Sequence, residues 1–227
     1  AFLEWGEECF AKFRGMFAIA VYDFTNKTLV LARDPLGIKP LYYLDLNTVF
    51  AFASEARVLW QGTSWRESLD LDLPRVEQLL AFGYLPDSNN TIVKPIRKVP
   101  PGSVVRLRDG KKEVRQYWEL REDRSWQDLT FQDGCDRFQS LFDETMRIML
   151  RSDVPLGFLL SGGLDSSFVL ASAGNAGASD MRTFTAVFGH ELDEGAYARE
   201  VADYLGAGHE NIRIQIPDLA EYPALMS

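Results

Sequence analysis

Val154-Pro155-Leu156-Gly157-Phe158-Leu159-Leu160-Ser161-Gly162-Gly163-Leu164-Asp165-Ser166-Ser167-Phe168-Val169-Leu170-Ala171-Ser172-Ala173 is an apolar run that breaks into a hydroxyl- and glycine-rich turn and then resumes as a helix. Leu156, Phe158, Leu159 and Leu160 suit a buried parallel strand, and Phe168, Val169, Leu170 and Ala173 suit the buried stripe of a short helix. The turn between them has the composition of a phosphate cradle. Gly162 and Gly163 open backbone conformations closed to other residues and let an anion approach the amides. The helix N-terminus adds unpaired N–H groups and partial positive charge, and Ser161, Ser166 and Ser167 supply hydroxyls. Asp165 is the odd member, because its carboxylate would repel a phosphate unless a divalent cation sat between them, so it reads as a magnesium ligand.

The competing reading is an ordinary strand-to-helix connection with Asp165 or Ser166 as the helix cap. The loop is not a Walker A motif, since no Gly-Lys-Ser/Thr follows, nor is it G-x-G-x-x-G. The string Ser161-Gly162-Gly163-Leu164-Asp165-Ser166-Ser167 resembles instead the pyrophosphate loop of the ATP pyrophosphatase enzymes.

The chain has 227 residues, 46% of them hydrophobic, enough for a sizeable core and for two domains. No stretch approaches the length of a membrane span, and Ala1-Phe2-Leu3-Glu4-Trp5 has neither a basic leader nor a small-residue cleavage site, so the cytoplasm is expected. The net charge of −9 and the lack of basic runs interleaved with aromatics argue against nucleic acid as a partner. Cys9 and Cys135 lie far apart without metal-ligand spacing, and both are expected as buried thiols. The chain opens without methionine and stops at Ala224-Leu225-Met226-Ser227, which reads as a piece cut at both ends.

Phe17 to Phe24 and Thr28 to Arg33 are strand-like and joined by the polar turn Thr25-Asn26-Lys27; Val49 to Ala53 adds a strand. The two prolines and glycine of the 33–43 stretch predict a rigid, extended excursion. Asp72 offers a helix cap, with helical spacing from Val76 until Gly83. Val104 to Leu107 and Val114 to Trp118 flank the hairpin signal Asp109-Gly110. Residues 121–130 are polar and aperiodic, a candidate linker between domains at 1–120 and 131–227. Beyond it come a helix carrying Phe138, Leu141, Phe142, Thr145, Met146 and Met149 on one face, the loop unit, a strand at 182–188, a helix at 194–205 and a strand at 209–216. This alternation implies a parallel α/β sheet with ligands at the strands' carboxyl ends.

Taken with Arg14-Gly15-Met16-Phe17-Ala18, Arg33-Asp34-Pro35-Leu36-Gly37-Ile38-Lys39-Pro40-Leu41-Tyr42-Tyr43, Phe52-Ala53-Ser54-Glu55, Pro100-Pro101-Gly102 before Tyr117-Trp118, and Ser152-Asp153-Val154-Pro155, the loop makes the chain resemble the glutamine-dependent asparagine synthetases. That resemblance implies a layered αββα glutaminase domain of the N-terminal-nucleophile (class II amidotransferase) type over 1–120. It implies the start of a Rossmann-like ATP pyrophosphatase domain over 131–227. It further implies ATP and Mg²⁺, with aspartate, glutamine and ATP as small-molecule partners, activation of aspartate as an acyl-adenylate, and displacement of AMP by ammonia. Ser161, Gly162, Gly163, Leu164, Asp165, Ser166 and Ser167 would hold pyrophosphate, Asp165 would hold the metal, and Leu159 and Ala186 would lie against adenine through backbone groups. A homodimer stays open.

The chain departs from the family in opening with alanine where members carry a catalytic cysteine, and Cys9 has no matching sequence after it. No catalytic residue of the glutaminase half is therefore expected in this chain, nor is the later Ser-Gly-Glu-Gly-x-Asp-Glu stretch present, so the chain alone is expected to be inactive. A related adenylating enzyme of the β-lactam synthetase or peptide cyclase type, and an inert nucleotide-binding relative, remain alternatives. The loop from Arg33 to Tyr43 could shape the glutaminase site or buttress the two domains. Ser54-Glu55 is expected to satisfy backbone or an arginine, and Asp193 to cap a helix rather than face nucleotide. His190 and His209 are expected to be exposed or capping, and Tyr42, Tyr43, Phe50 and Phe52 to be core.

Overall fold

The computed structural model describes residues 1–46, 48–62, 64–86, 89–189 and 193–215, which fall into two compact units, Ala1–Glu122 and Asp123–Ser227. His190 and Ile216, singled out above, lie outside the described residues.

The first unit begins with a short helix, α1 (Phe2–Trp5), and a 3₁₀ turn at Gly6–Lys12, which the sequence reading did not anticipate. Strands β1 (Ala18–Asp23) and β2 (Thr28–Arg33) form the first hairpin, whose turn is braced by the Asp23 carboxylate accepting from the amides of Thr25 and Asn26 at 2.9 and 3.1 Å. Strand β3 (Tyr42–Asp45) pairs with β4 (Phe50–Ala53), followed by α2 (Ala56–Trp60), α3 (Leu73–Phe82) and β5 (Ile96–Lys98). Strands β6 (Ser103–Arg108) and β7 (Lys111–Gln116) form the second hairpin, with Asp109 and Gly110 both at positive φ, the turn whose twist matches that of the flanking strands. The strands make two antiparallel sheets, ordered β1-β2-β6-β7 and β4-β3-β5.

Strand alternation sets the layering. Val30 and Ala32 of β2 pack with Val104, Cys9 and Phe10 on one face, while Leu31 packs with Val105, Val99, Leu41 and Tyr43 on the other. Leu44 and Ile96, from the far side of the second sheet, meet Leu59 of α2. The order is helix, sheet, sheet, helix, as the αββα class requires. Some details differ from the sequence reading. Tyr43 is buried and stacks on Phe50 at 5.7 Å, but Phe52, paired opposite Tyr43 on the same face of the sheet, is 43% exposed. Asp72 sits at the N-cap of α3 without a cap bond, its carboxylate instead accepting from Arg75 Nε at 3.1 Å. Glu55 flanks α2 in the same way, exposed, and among the described residues it neither caps the helix nor meets an arginine.

The 33–41 segment is a knot rather than a plain extended excursion. The Arg33 guanidinium donates to the carbonyls of Gly37, Lys39 and Val99 at 2.6, 2.8 and 2.9 Å. The buried Asp34 carboxylate accepts from the amides of Ile38 and Lys39, and Tyr117 donates to the Arg33 carbonyl. Gly37 is at φ 65, where a Cβ would also come within 2.9 Å of Pro101.

The second unit is a three-stranded parallel sheet, β10-β9-β8, made of β8 (Gly157–Leu159), β9 (Arg182–Val187) and β10 (Gly208–Arg213). Helix α4 (Phe131–Met149) precedes it, α5 (Leu164–Asn175) links β8 to β9, and α6 (Gly195–Tyr204) links β9 to β10. The Thr130 hydroxyl accepts from the Asp133 amide and donates to its carboxylate, a reciprocal start signal for α4. Leu160, Leu170, Ala198, Ala202 and Ala207 form the core, and Phe168 of α5 meets Phe138 and Phe142 of α4. Cys135 is exposed rather than buried, since it lies one turn before the first α4 ring that Phe168 covers. Among the described residues no helix is long and apolar enough to cross a membrane.

Burial pushes the Asp34 carboxyl up, but the amides of Lys39 and Ile38 outweigh it and hold the group below its ordinary value of 3.8. A depressed carboxyl stabilises the fold above its unfolded pKa and loses that contribution as pH falls through the folded one. Asp34→Asn is therefore expected to cost about 2–4 kcal/mol at pH 7 and to flatten the acid limb of stability below about pH 4, read by urea unfolding across pH. A variant as acid-sensitive as the wild type would contradict this.

Candidate functional site

Strand β8 is short, but its pairing continues past its end: the Leu160 amide donates to the Phe184 carbonyl at 3.0 Å, and the Thr185 hydroxyl donates to the Leu160 carbonyl. The chain then turns through Gly162 at φ 75, and a Cβ there would lie 2.6 Å from the Tyr197 carbonyl carbon and 2.8 Å from the Ala198 amide nitrogen. Only glycine serves at this position, for conformation and for space alike. Gly163 is the N-cap of α5 in extended conformation and lends no side chain to the helix's first amides. Those amides, with the dipole behind them, are the loop's anion-attracting element.

The serines are arranged mainly to hold the loop's shape. Ser161 Oγ accepts from the Gly163 amide at 3.2 Å and lies 2.9 Å from Ser166 Oγ, which accepts from the Ser161 amide at 3.3 Å and donates to the Gly163 carbonyl at 3.2 Å. Ser167 Oγ donates to that same carbonyl at 2.7 Å. The hydroxyls read from sequence as ligand donors thus have partners inside the loop. Asp165 and Ser166 do not cap α5 through their side chains, against the ordinary-connection reading. Asp165 is exposed in the helix's first turn and makes no hydrogen bond or ion pair among the described residues; Leu164 beside it is exposed as well. Among the described residues no group of three or more His, Cys, Asp or Glu could hold a metal ion, so a cation at Asp165 would need ligand oxygens for the rest of its shell.

Leu159 and Ala186 are brought to the carboxyl ends of neighbouring strands. Leu159 is opposite Phe184, so Ala186, two residues on, shares its face of the sheet; both side chains are exposed, opposite the face that carries the buried Thr183 and Thr185. Asp193 is not the cap of α6, whose N-cap is Glu194; its carboxylate accepts instead from the amides of Phe188 and Gly189 at 2.9 and 2.6 Å. His209 is half-buried, 2.8 Å from the Thr183 hydroxyl and 2.9 Å from Asn211 Oδ1, so it serves as a cross-strand tie rather than an exposed or capping residue. Neither role was legible from sequence, since both depend on neighbours fixed by strand pairing. A cavity of about 560 Å³ lies at the opposite, amino ends of the strands, beside Ser152, Pro155 and Arg182.

In the first unit Cys9 is fully buried beside Phe10, and burial pushes its thiol up, away from the thiolate a nucleophile needs. Glu7 ties the Gly6–Lys12 turn to the sheet by accepting from Arg106 Nε at 2.6 Å and from Arg115 at 3.2 Å.

Residues 1–118 match the family model of the glutamine amidotransferase domain, and residues 137–227 match that of asparagine synthase. Over 210 residues the chain is 34% identical to the glutamine-hydrolysing asparagine synthetase 1 of Bacillus subtilis, covering 91% of this chain and 32% of that protein. It is 30% identical to a putative glutamine-hydrolysing asparagine synthetase 2 of Methanocaldococcus jannaschii, covering 95% of this chain and 42% of that protein. It is also 30% identical to the amidase chry2 of Gibberella zeae, covering 85% of this chain and 30% of that protein. The chain thus spans between 30% and 42% of the length of these curated relatives.

The loop geometry separates its two glycines. Gly162→Ala is expected to cost about 2–4 kcal/mol, from the positive φ and the clash with α6. Gly163→Ala, at φ −73 with only Ser161 Oγ within 3.2 Å, is expected to cost less than about 1 kcal/mol. Urea unfolding read by hydrogen exchange over residues 157–175 ranks the two, and equal costs would refute the packing argument.

Proposed function

Because the chain belongs to the glutamine amidotransferase domain family over residues 1–118 and continues into an asparagine synthase match from residue 137, we propose that the protein carrying it makes asparagine from aspartate, with glutamine as nitrogen donor and ATP as energy source. The observation that carries this reading is the Ser161–Ser167 loop, a glycine turn opening on the uncapped N-terminus of α5 at the carboxyl end of a parallel strand. It stands inside a chain whose two halves match the two families in order.

The chemistry explains the loop. A carboxylate resists attack by ammonia until one of its oxygens becomes a leaving group, and transfer of AMP from ATP supplies that group by forming β-aspartyl-AMP and releasing pyrophosphate. The charge that grows on the departing pyrophosphate is met by the amides of Leu164 to Ser166 and the α5 dipole, held in place by the Ser161–Ser166 hydroxyl pair. Mg²⁺, when bound between Asp165 and the phosphates, would supply further charge compensation. The backbone around Leu159 and Ala186 borders the adenine. The glutaminase half delivers ammonia, and Cys9 is assigned no part in it. Two free cysteines without a disulfide suit the cytoplasm as its compartment.

A second reading is kept because the amidase relative also spans both halves: an adenylating amide-forming enzyme acting on another carboxylic acid. Exchange of labelled pyrophosphate into ATP by the full-length protein decides between them. We expect exchange that depends on aspartate and falls below about 1% of wild type in Asp165→Ala. Exchange with a different carboxylic acid but not with aspartate would transfer the assignment to the second reading, and exchange undiminished in Asp165→Ala would remove the loop from the chemistry.

A further inference from the structure

Asp193 lies at the junction of the two halves of this site. On one side, its two carboxylate oxygens hold the amides of Phe188 and Gly189, immediately beyond the end of β9 on which Ala186 sits. Gly189 is at φ 83, a left-handed conformation that glycine takes without strain. On the other side, Asp193 leads through Glu194 into the first turn of α6, and that turn is wedged between two glycine contacts. The backbone of Tyr197 and Ala198 presses on Gly162 of the phosphate loop, and Gly195 sits where a Cβ would come within 2.7 Å of Asn211 on β10 and 2.9 Å of Val187 on β9. Asn211 is in turn held by His209. With β10 and β9 on one side and the loop on the other, α6 has little freedom to shift without moving Gly162.

We propose that Asp193 is a positioning residue for nucleotide: by clamping the β9–α6 turn it fixes the β9 end beside the adenine position and, through α6, the backbone of Gly162 beneath the phosphates. This rests on the functional reading above, and it concerns a carboxylate that touches neither substrate nor metal. Its loss acts on where the backbone groups are held rather than on the chemistry they perform, so it falls on nucleotide affinity more than on turnover.

The test uses the full-length protein with saturating Mg²⁺, measuring aspartate-dependent pyrophosphate exchange against ATP for the wild type, Asp193→Ala and Asp193→Asn. We expect KM for ATP to rise roughly tenfold in Asp193→Ala, with kcat and KM for aspartate within about twofold. Asp193→Asn should fall between, since its one oxygen can serve one of the two amides. Hydrogen exchange of residues 186–198 should be faster in both variants and should slow when Mg·ATP binds the wild type. A KM for ATP within twofold of wild type in both variants overturns the proposal, as does a fall in kcat alone. Should Asp193→Ala not fold, Asp193→Asn decides by the same criterion. Absence of exchange in the wild type would sink the functional reading; calorimetric affinity for Mg·ATP in the wild type and the variants would then decide the role of Asp193.

Discussion

The contact on which the second unit depends is Gly162 against the backbone of Tyr197 and Ala198 and the Tyr197 Cβ, in the first turn of α6. Most loop-to-helix contacts are made by side chains, which adjust by changing rotamer; the atoms that meet Gly162 are ones no rotamer change moves. The loop conformation is consequently set by where α6 lies, and α6 is set by the sheet through Gly195. The hydroxyl pair of Ser161 and Ser166 then tightens a shape the helix has already imposed. On the proposed function, an anion site built this way would be rigid before any ligand arrives, which is what electrostatic stabilisation of a developing charge requires.

The first unit solves a similar problem by different means. Its 33–41 segment is held by one guanidinium on three carbonyls, two of its own and that of Val99, and by one buried carboxylate on two amides. Arginine's planar fork can reach several acceptors at once, whereas lysine would offer a single point charge. The segment is thus a scaffold whose exposed tip, Leu36 and Ile38, is stiff despite lying on a loop. These bonds brace the segment within the first unit.

Sequence disclosed what local rules govern. Both hairpins follow from their turn residues, Asp109-Gly110 most directly, and the strand-turn-helix at Leu156 to Leu170 follows from the change in apolar period. Three kinds of feature were out of its reach. β5 is three residues among prolines and lysines, too short for a period to show, and only its pairing with β3 makes it a strand. Acidic residues before helices, Asp72 and Asp193, look like caps in one dimension, but side-chain oxygens take whichever donor tertiary structure brings near, an arginine in one case and a preceding turn in the other. Loop serines look like ligand donors until their mutual distances are known.

Among the described residues β8 and β10 each pair with another strand on one side only, so both rims of the parallel sheet carry a row of amides and carbonyls facing no strand. β10 places Glu210 and Arg213 along its rim, charges that discourage another chain from adding there; β8, reading Gly157-Phe158-Leu159, has none. At three residues β8 offers too short a row of partners for another chain to add along it, so length guards one rim of the sheet and charge the other.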